Sequence, residues 1–285
     1  MISSQPLPSL IDITWLSQHM DDPNLIILDA SIPSISTSEK ERLHLKTIPN
    51  ALFFDLKKVF SNQSAVLPNT IPSPEDFESA CRVLGIANNS KIVLYDDKGI
   101  YSSPRAWFLF KLMGFTNVSI LDGGLPAWIE SGLLTKNSYR SFPKKQGDFK
   151  TNFKPELVVT ADQVLKAIKD SNYIIIDARS YDRFTGVTPE PRNDIKGGHI
   201  PSSVNIPYTK LIKDGKLIYQ AELAKLVHTF KSDQKHTIFT CGSGITACIL
   251  MFAFECAGHT NSSLYDGSWT EWGQLPDIPI VKKAV

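Results

Sequence analysis

The chain is written twice, and that duplication limits its fold more than any other feature. Ile26-Ile27-Leu28-Asp29-Ala30-Ser31 returns as Ile174-Ile175-Ile176-Asp177-Ala178-Arg179. Ile48-Pro49-Asn50-Ala51 returns as Ile200-Pro201-Ser202-Ser203. Lys91-Ile92-Val93-Leu94-Tyr95-Asp96 returns as the run from Thr237 to Cys241, so Asp96 stands where the second half has Cys241. Leu121-Asp122-Gly123-Gly124 with Trp128 returns as Tyr265-Asp266-Gly267-Ser268 with Trp272. The offset is 148 positions at Asp29 and Asp177, 145 at Asp96 and Cys241, and 144 at Asp122 and Asp266. A period near 145 is far too long for a solenoid repeat, so the chain holds two copies of one domain.

Each copy alternates short β-branched runs with helical patterns. Leu25–Leu28, Ile92–Tyr95 and Val118–Leu121 read as buried parallel strands. One helix is expected to start with Ser103 as its N-cap, Pro104 in its first turn and Gly114 just past its end. Phe77–Leu84 reads as an amphipathic helix. Strands alternating with helices predict an α/β fold in which a parallel sheet is covered on both faces. The expected division is a first domain over residues 1–135, a linker over 136–157 and a second domain over 158–285. The stretch 134–156 is polar and lysine-rich, with Pro143, Gly147 and Pro155; it reads as a linker or as a surface extension packed on one domain.

Composition excludes several classes. With a net charge of +1 and dispersed Lys and Arg, nothing favours nucleic acid or an anionic membrane. No apolar run approaches the roughly 20 residues that span a bilayer. The first ten residues lack the basic start and apolar core of a secretory signal and the arginine-rich pattern of a mitochondrial one. Four cysteines, at 81, 241, 248 and 256, form neither a disulfide framework nor a zinc pattern, so no metal is expected and the cytoplasm is the expected location.

One of those cysteines stands apart. A β-prone run delivers Cys241 to Gly242-Ser243-Gly244-Ile245-Thr246, and an apolar run from Ala247 to Ala257 follows, stopped by Gly258. The order strand, tight loop, helix sets a thiol before a helix N-terminus, where unpaired N–H groups favour an anion. The thiolate is the nucleophilic form of cysteine. Cys241 is therefore read as a nucleophile in an anion-cradling loop, in preference to a buried packing residue. Cys81, Cys248 and Cys256 lie within apolar helical patterns and read as packing residues. Asp29 and Asp177 read as acceptors for neighbouring loop amides, His199 as a turn histidine, and Trp269 and Trp272 as packing anchors.

These residues together resemble the tandem-domain rhodanese-type sulfurtransferases. The resemblance rests on the repeated aliphatic-Asp-Ala, on His199-Ile200-Pro201, on the strand-Cys-loop-helix, and on Asp266-Gly267-Ser268-Trp269 before Glu271-Trp272-Gly273. It implies two tandem rhodanese-like domains, the first non-catalytic with Asp96 at the cysteine position, the second carrying Cys241. The six-residue loop Cys241-Gly242-Ser243-Gly244-Ile245-Thr246 is similar to that of the 3-mercaptopyruvate-specific members, whereas thiosulfate-preferring members carry basic residues there. A neutral loop agrees: thiosulfate is a compact dianion, while mercaptopyruvate carries its charge on a carboxylate several bonds from the sulfur and needs a cation set back from the cysteine.

By the same resemblance Arg183 and Arg192 match the carboxylate-binding pair, and an arginine fork suits a carboxylate. The alternative is that each pairs with a carboxylate such as Glu190 or Asp194. Gly242, Gly244, Ile245 and Thr246 complete the expected substrate-binding frame. Ser243 is the second expected catalytic residue, its hydroxyl either relaying a proton or bonding the substrate, with a purely loop-stabilising hydroxyl equally open. Relatives often bring a histidine and an acidic residue from the first domain after a Phe-Phe-Asp; here Phe53-Phe54-Asp55 is present, but Lys57 and the run Asn62 to Val66 supply no such pair.

The resemblance implies sulfur transfer from 3-mercaptopyruvate through a Cys241 persulfide, with pyruvate released and cyanide, a small thiol or a thioredoxin-like dithiol as acceptor, and no cofactor. Rival readings are a thiosulfate:cyanide sulfurtransferase and a non-catalytic persulfide carrier. A cysteine phosphatase is disfavoured, since its loop is one residue longer and ends in arginine where this chain has Thr246.

Overall fold

The structure, a computed structural model, describes residues 7–32, 46–192, 194–230 and 235–282. The chain separates into two units. One holds the residues up to Gln63 with Ile71–Lys154 and Asp214–Leu217; the other holds Ser64–Thr70, Pro155–Lys213 and the residues from Ile218 onward.

The first unit contains β1 (Leu10–Ile11), α1 (Ile13–Gln18), β2 (Leu25–Asp29), β3 (Leu52–Phe53), α2 (Pro74–Val83), β4 (Lys91–Tyr95), α3 (Ser103–Leu112), β5 (Val118–Leu121) and α4 (Gly124–Glu130). Its five strands lie in the order β1-β5-β4-β2-β3, all parallel. The second unit contains β6 (Val158–Val159), α5 (Ala161–Ala167), β7 (Tyr173–Asp177), α6 (Tyr181–Thr185) and β8 (Val204–Asn205). After the two-residue strands β9 (Ile212–Lys213) and β10 (Lys216–Leu217) come α7 (Gln220–Phe230), β11 (His236–Thr240), α8 (Ala247–Cys256), β12 (Ser262–Tyr265) and α9 (Ser268–Trp272). Its sheet runs β6-β12-β11-β7-β8, again parallel, which is the first sheet's topology repeated. The duplication read in the sequence is thus a duplication of fold.

Central strands of such sheets are buried on both faces and need no polar alternation. Ile92 to Tyr95 and Thr237 to Thr240 are all buried. The helix after each central strand is buried nearly all round: every residue of α3 except Lys111, and Ala247 to Phe254 of α8. A helix apolar on every side belongs inside a protein. Among the described residues no helix is long and apolar enough to cross a membrane.

Three local expectations shift. The helix around Cys81 starts three residues earlier, at Pro74, because Ser73 caps it by accepting the Asp76 N–H at 3.1 Å. The residue before α3 is Ser102, not Ser103; Ser103 is inside the helix because its N–H and hydroxyl both donate to the Asp96 carboxylate. The stretch expected as a linker over 136–157 is, up to Lys154, the alternative, a surface extension grouped with the first unit. Lys136 pairs with Thr47, Gly147 and Phe149 donate to the Arg82 and Ile86 carbonyls, and the Phe149 ring is fully buried beside Phe77 and Phe110. A polar segment whose main chain finds such partners has no reason to stay free.

Candidate active site

Cys241 follows directly on β11, at the carboxyl end of the central strand of the second sheet, where open α/β sheets hold their ligands. The loop it opens closes on α8, which starts at Ala247. Gly244 sits at φ +79°, a left-handed turn that glycine adopts without a Cβ clash. Its carbonyl accepts the Cys248 thiol at 3.2 Å, which ties the loop to the first turn of the helix. Ile245 is buried and Thr246 half-buried, with their carbonyls accepting the Cys248 and Ile249 N–H groups. Cys241 itself is buried and free.

What such a loop can hold is visible in the first unit. Asp96 stands at the matching strand end and is fully buried. Its Oδ1 accepts the Lys98 N–H at 2.9 Å; its Oδ2 accepts those of Tyr101, Ser102 and Ser103 at 2.8, 2.9 and 2.9 Å, and the Ser103 hydroxyl at 2.7 Å. A turn of successive amides opening a helix forms an anion nest. The first copy of that nest is filled by a carboxylate from its own chain.

The wall behind Cys241 is the start of α9. The Trp269 N–H donates to the Cys241 carbonyl at 2.9 Å, and the Thr270 N–H and hydroxyl donate to the Gly242 carbonyl at 2.9 and 2.6 Å. The Ser268 hydroxyl accepts the Cys241 N–H at 3.2 Å, donates to the Tyr265 carbonyl at 2.8 Å and lies 4.0 Å from Cys241 Sγ. Ser268 is fully buried with φ +50°, an unfavourable left-handed conformation of the kind found at functional sites.

One guanidinium group lies against Gly242 and a second is linked to it through Thr270. A Cβ placed there would come within 2.9 Å of Arg183 Nη2, so the missing side chain is what lets the arginine approach. Arg183 is held by Glu190, through Nη2 to Oε2 at 2.5 Å and Nε to Oε1 at 3.3 Å. This is the pairing that the alternative reading of Arg183 named, but Glu190 is buried, and its Oε1 also accepts Arg179 Nη1 at 2.8 Å. Arg179 is fully buried over the Trp269 ring at 4.2 Å and donates through Nη2 to Asp177 at 2.6 Å and to the Gly198 carbonyl at 2.8 Å. Burial opposes its charge, but Asp177 and Glu190 outweigh that, so its pKa lies above the usual value. The second cation arrives indirectly: Arg192 Nη1 donates to Thr270 Oγ1 at 2.6 Å, and that hydroxyl donates to the Gly242 carbonyl.

Ser243 is approached from an unexpected segment. Asn69 Nδ2 lies 3.1 Å from both the Ser243 carbonyl and its Oγ. Residues 64–70 belong to the second unit although the first half of the sequence encodes them. His199 is a structural residue, stacked on Phe184 with centroids 3.8 Å apart and donating from Nδ1 to its carbonyl at 2.8 Å. Burial pushes its pKa below the usual value.

Of the eight expected site residues, six form the loop, Arg183 lies against it at Gly242, and Arg192 is linked to it through Thr270. Sequence reasoning gave no site role to Asn69, Arg179, Ser268 or Thr270, and named Glu190 only as an alternative partner of the arginines. Ser268 had a signal: it lies in Asp266-Gly267-Ser268-Trp269, one of the motifs that carry the family resemblance. Asn69 had none, because its contact spans 174 residues.

The family model for the rhodanese-like domain matches residues 12–131 and again 160–275. The thiosulfate/3-mercaptopyruvate sulfurtransferase 1 of Arabidopsis thaliana, named as mitochondrial, is 37% identical over an alignment covering 98% of this chain and 78% of the relative. The 3-mercaptopyruvate sulfurtransferase of Escherichia coli K12 is 37% identical, with 93% of this chain and 95% of the relative covered. The crystal structure of SseA from Escherichia coli, described as a 3-mercaptopyruvate sulfotransferase, superposes with a TM-score of 0.81 at 35% identity, covering 92% of this chain and 99% of that one.

Proposed function

The chain belongs to the rhodanese-like family as a tandem-domain sulfurtransferase, and we propose that it takes sulfur from 3-mercaptopyruvate onto Cys241 and passes it to a thiophilic acceptor. The Cys241 thiolate attacks the substrate sulfur. The carbon–sulfur bond breaks and its electron pair goes to carbon, giving the enolate of pyruvate. The proton formerly on the substrate thiol is made up on the enolate carbon through solvent, so pyruvate leaves and a Cys241 persulfide anion stays. Cyanide, a small thiol or a thioredoxin-like dithiol then attacks the outer sulfur. With cyanide, thiocyanate leaves and the thiolate is restored. No metal or organic cofactor enters this scheme.

The observation that carries the choice of donor is that Arg183 lies against Gly242, one residue beyond the cysteine, and Arg192 is linked to it through Thr270, beside a loop that has no basic residue of its own. Cations set back in this way suit a carboxylate several bonds from the reacting sulfur. The terminal persulfide sulfur is held by the loop amides in this scheme, a role supported by the carboxylate that fills the matching nest at Asp96. That same carboxylate supports reading the first domain as non-catalytic. Four free cysteines suit a reducing compartment, for which we take the cytoplasm.

Cyanide-dependent turnover on the two donors tests the proposal. Mercaptopyruvate should be used with the higher kcat/KM, and Cys241→Ser should abolish turnover of both. Better efficiency with thiosulfate would replace the donor, and loading without repeated turnover would favour a persulfide carrier.

A further inference from the structure

Asn69 is the one side chain from outside the loop and its arginines that bonds the Ser243 hydroxyl among the hydrogen bonds described. The Ser243 main-chain carbonyl can only accept, so the Asn69 atom 3.1 Å from it is the amide nitrogen. That settles the orientation of the carboxamide. The same nitrogen is 3.1 Å from Ser243 Oγ, and its two hydrogens serve the two oxygens. Ser243 Oγ is therefore an acceptor in this contact, and its own hydrogen is left to be given elsewhere.

The amide is presented rigidly. Pro68 and Asn69 form the centre of a turn from Leu67 to Thr70, closed by the Thr70 hydroxyl on the Leu67 carbonyl at 2.9 Å. Proline fixes its own φ, and Asn69 adopts φ +61°, a left-handed conformation that asparagine tolerates better than most residues. Little freedom remains to be lost when the contact forms.

We propose that Asn69 is a positioning residue that fixes the polarity of Ser243, so that the hydroxyl donates a hydrogen bond to the sulfur donor and cannot pass a proton inward. This rests on the assignment of the Cys241 loop as the reacting one. A carboxamide neither takes nor releases a proton at ordinary pH, so a relay through Ser243 ends at Asn69. Of the two catalytic uses of Ser243 that its sequence position allows, relay or substrate bond, the contact supports the second. The proton that completes pyruvate then comes from solvent.

The test is a double-mutant cycle with two replacements at position 69. Asn69→Gly keeps the left-handed backbone and removes the side chain. Asn69→Asp keeps the shape but turns a donor into an acceptor facing the Ser243 carbonyl. With mercaptopyruvate and saturating cyanide, each should lower kcat by about tenfold, the scale of one oriented hydrogen bond. KM should stay within about twofold, because the bond acts on the transition state and not on the carboxylate. In a Ser243→Ala background, Asn69→Gly should add less than about twofold. Wild-type kcat in both single variants, or an undiminished loss in the Ser243→Ala background, would overturn the proposal. Should the wild type prove to prefer thiosulfate, the donor assignment fails, and the same cycle run on thiosulfate still decides the role of Asn69.

Discussion

Replacing Glu190 with glutamine probes how Arg183 is aimed. Glu190 is 9% exposed and bridges two guanidiniums, with three bonds of 2.5, 2.8 and 3.3 Å. Glutamine keeps the shape, removes the charge and turns one oxygen into an NH2 that faces a donor. Whichever way the amide turns, at least one charge-assisted bond is lost, worth about 1.5–3 kcal/mol. Arg179 retains Asp177 through Nε and Nη2, so the cost stays below the roughly 3–5 kcal/mol of a buried charge stripped of its partner. We expect about 2–3 kcal/mol, and hence a fall of about 5–10 °C in Tm for a domain of this size. The tether on Arg183 is also weakened and its orientation loosened, so KM for the carboxylate donor should rise about tenfold while kcat holds within about threefold. Calorimetry paired with steady-state kinetics reads both quantities. An unchanged Tm would refute the charged bridge. A lowered Tm with unchanged KM would show that Glu190 serves the fold alone and that Arg183 does not touch the donor.

Three further outcomes follow from the same geometry. Gly242→Ala should raise KM about tenfold, because its Cβ would lie only 2.9 Å from Arg183 Nη2 and push the guanidinium aside, leaving kcat within a few-fold; equal losses in both would place the damage at the cysteine instead. Asp96→Ala should destabilise the first unit by about 3–5 kcal/mol, since buried amides lose their acceptor, and calorimetry should show this without any change in kcat. His199 binds its proton more weakly folded than unfolded, so the unfolded chain takes up protons first as pH falls. Its share of stability is present above the unfolded pKa and is lost on acidification below about 6.5. His199→Gln, which keeps a donor for the Phe184 carbonyl, should flatten the fall in Tm between about pH 7.5 and about pH 5.5, and an unaltered slope would contradict this.

Much of this molecule is legible in one sequence because its strongest signals are local. The β-branched runs before Asp96 and Cys241 can only be buried central strands, and the repeat doubles every such observation. The Cys241 loop is read from six consecutive residues. What stays hidden is whatever depends on distant segments meeting. Asn69 reaches Ser243 across 174 positions, and Arg192 meets Thr270 across 78. Glu190 was in view only seven residues from Arg183, but burial decides its meaning: exposed it would be a weak surface partner, whereas buried between Arg179 and Arg183 it sets where the cation sits. The 134–154 segment stays undecided between linker and surface extension for a related reason, since polar composition does not reveal that its main-chain groups find partners on the first unit.

The whole scheme turns on a sulfur atom that leaves the donor and stays on one cysteine. Purified protein should be incubated with mercaptopyruvate in the absence of acceptor, alkylated, digested and weighed. The peptide carrying Cys241 should gain the mass of a single additional sulfur, lost again on adding cyanide, while peptides carrying Cys81, Cys248 and Cys256 stay unmodified. No added sulfur on Cys241, or sulfur found chiefly on another cysteine, would contradict the account.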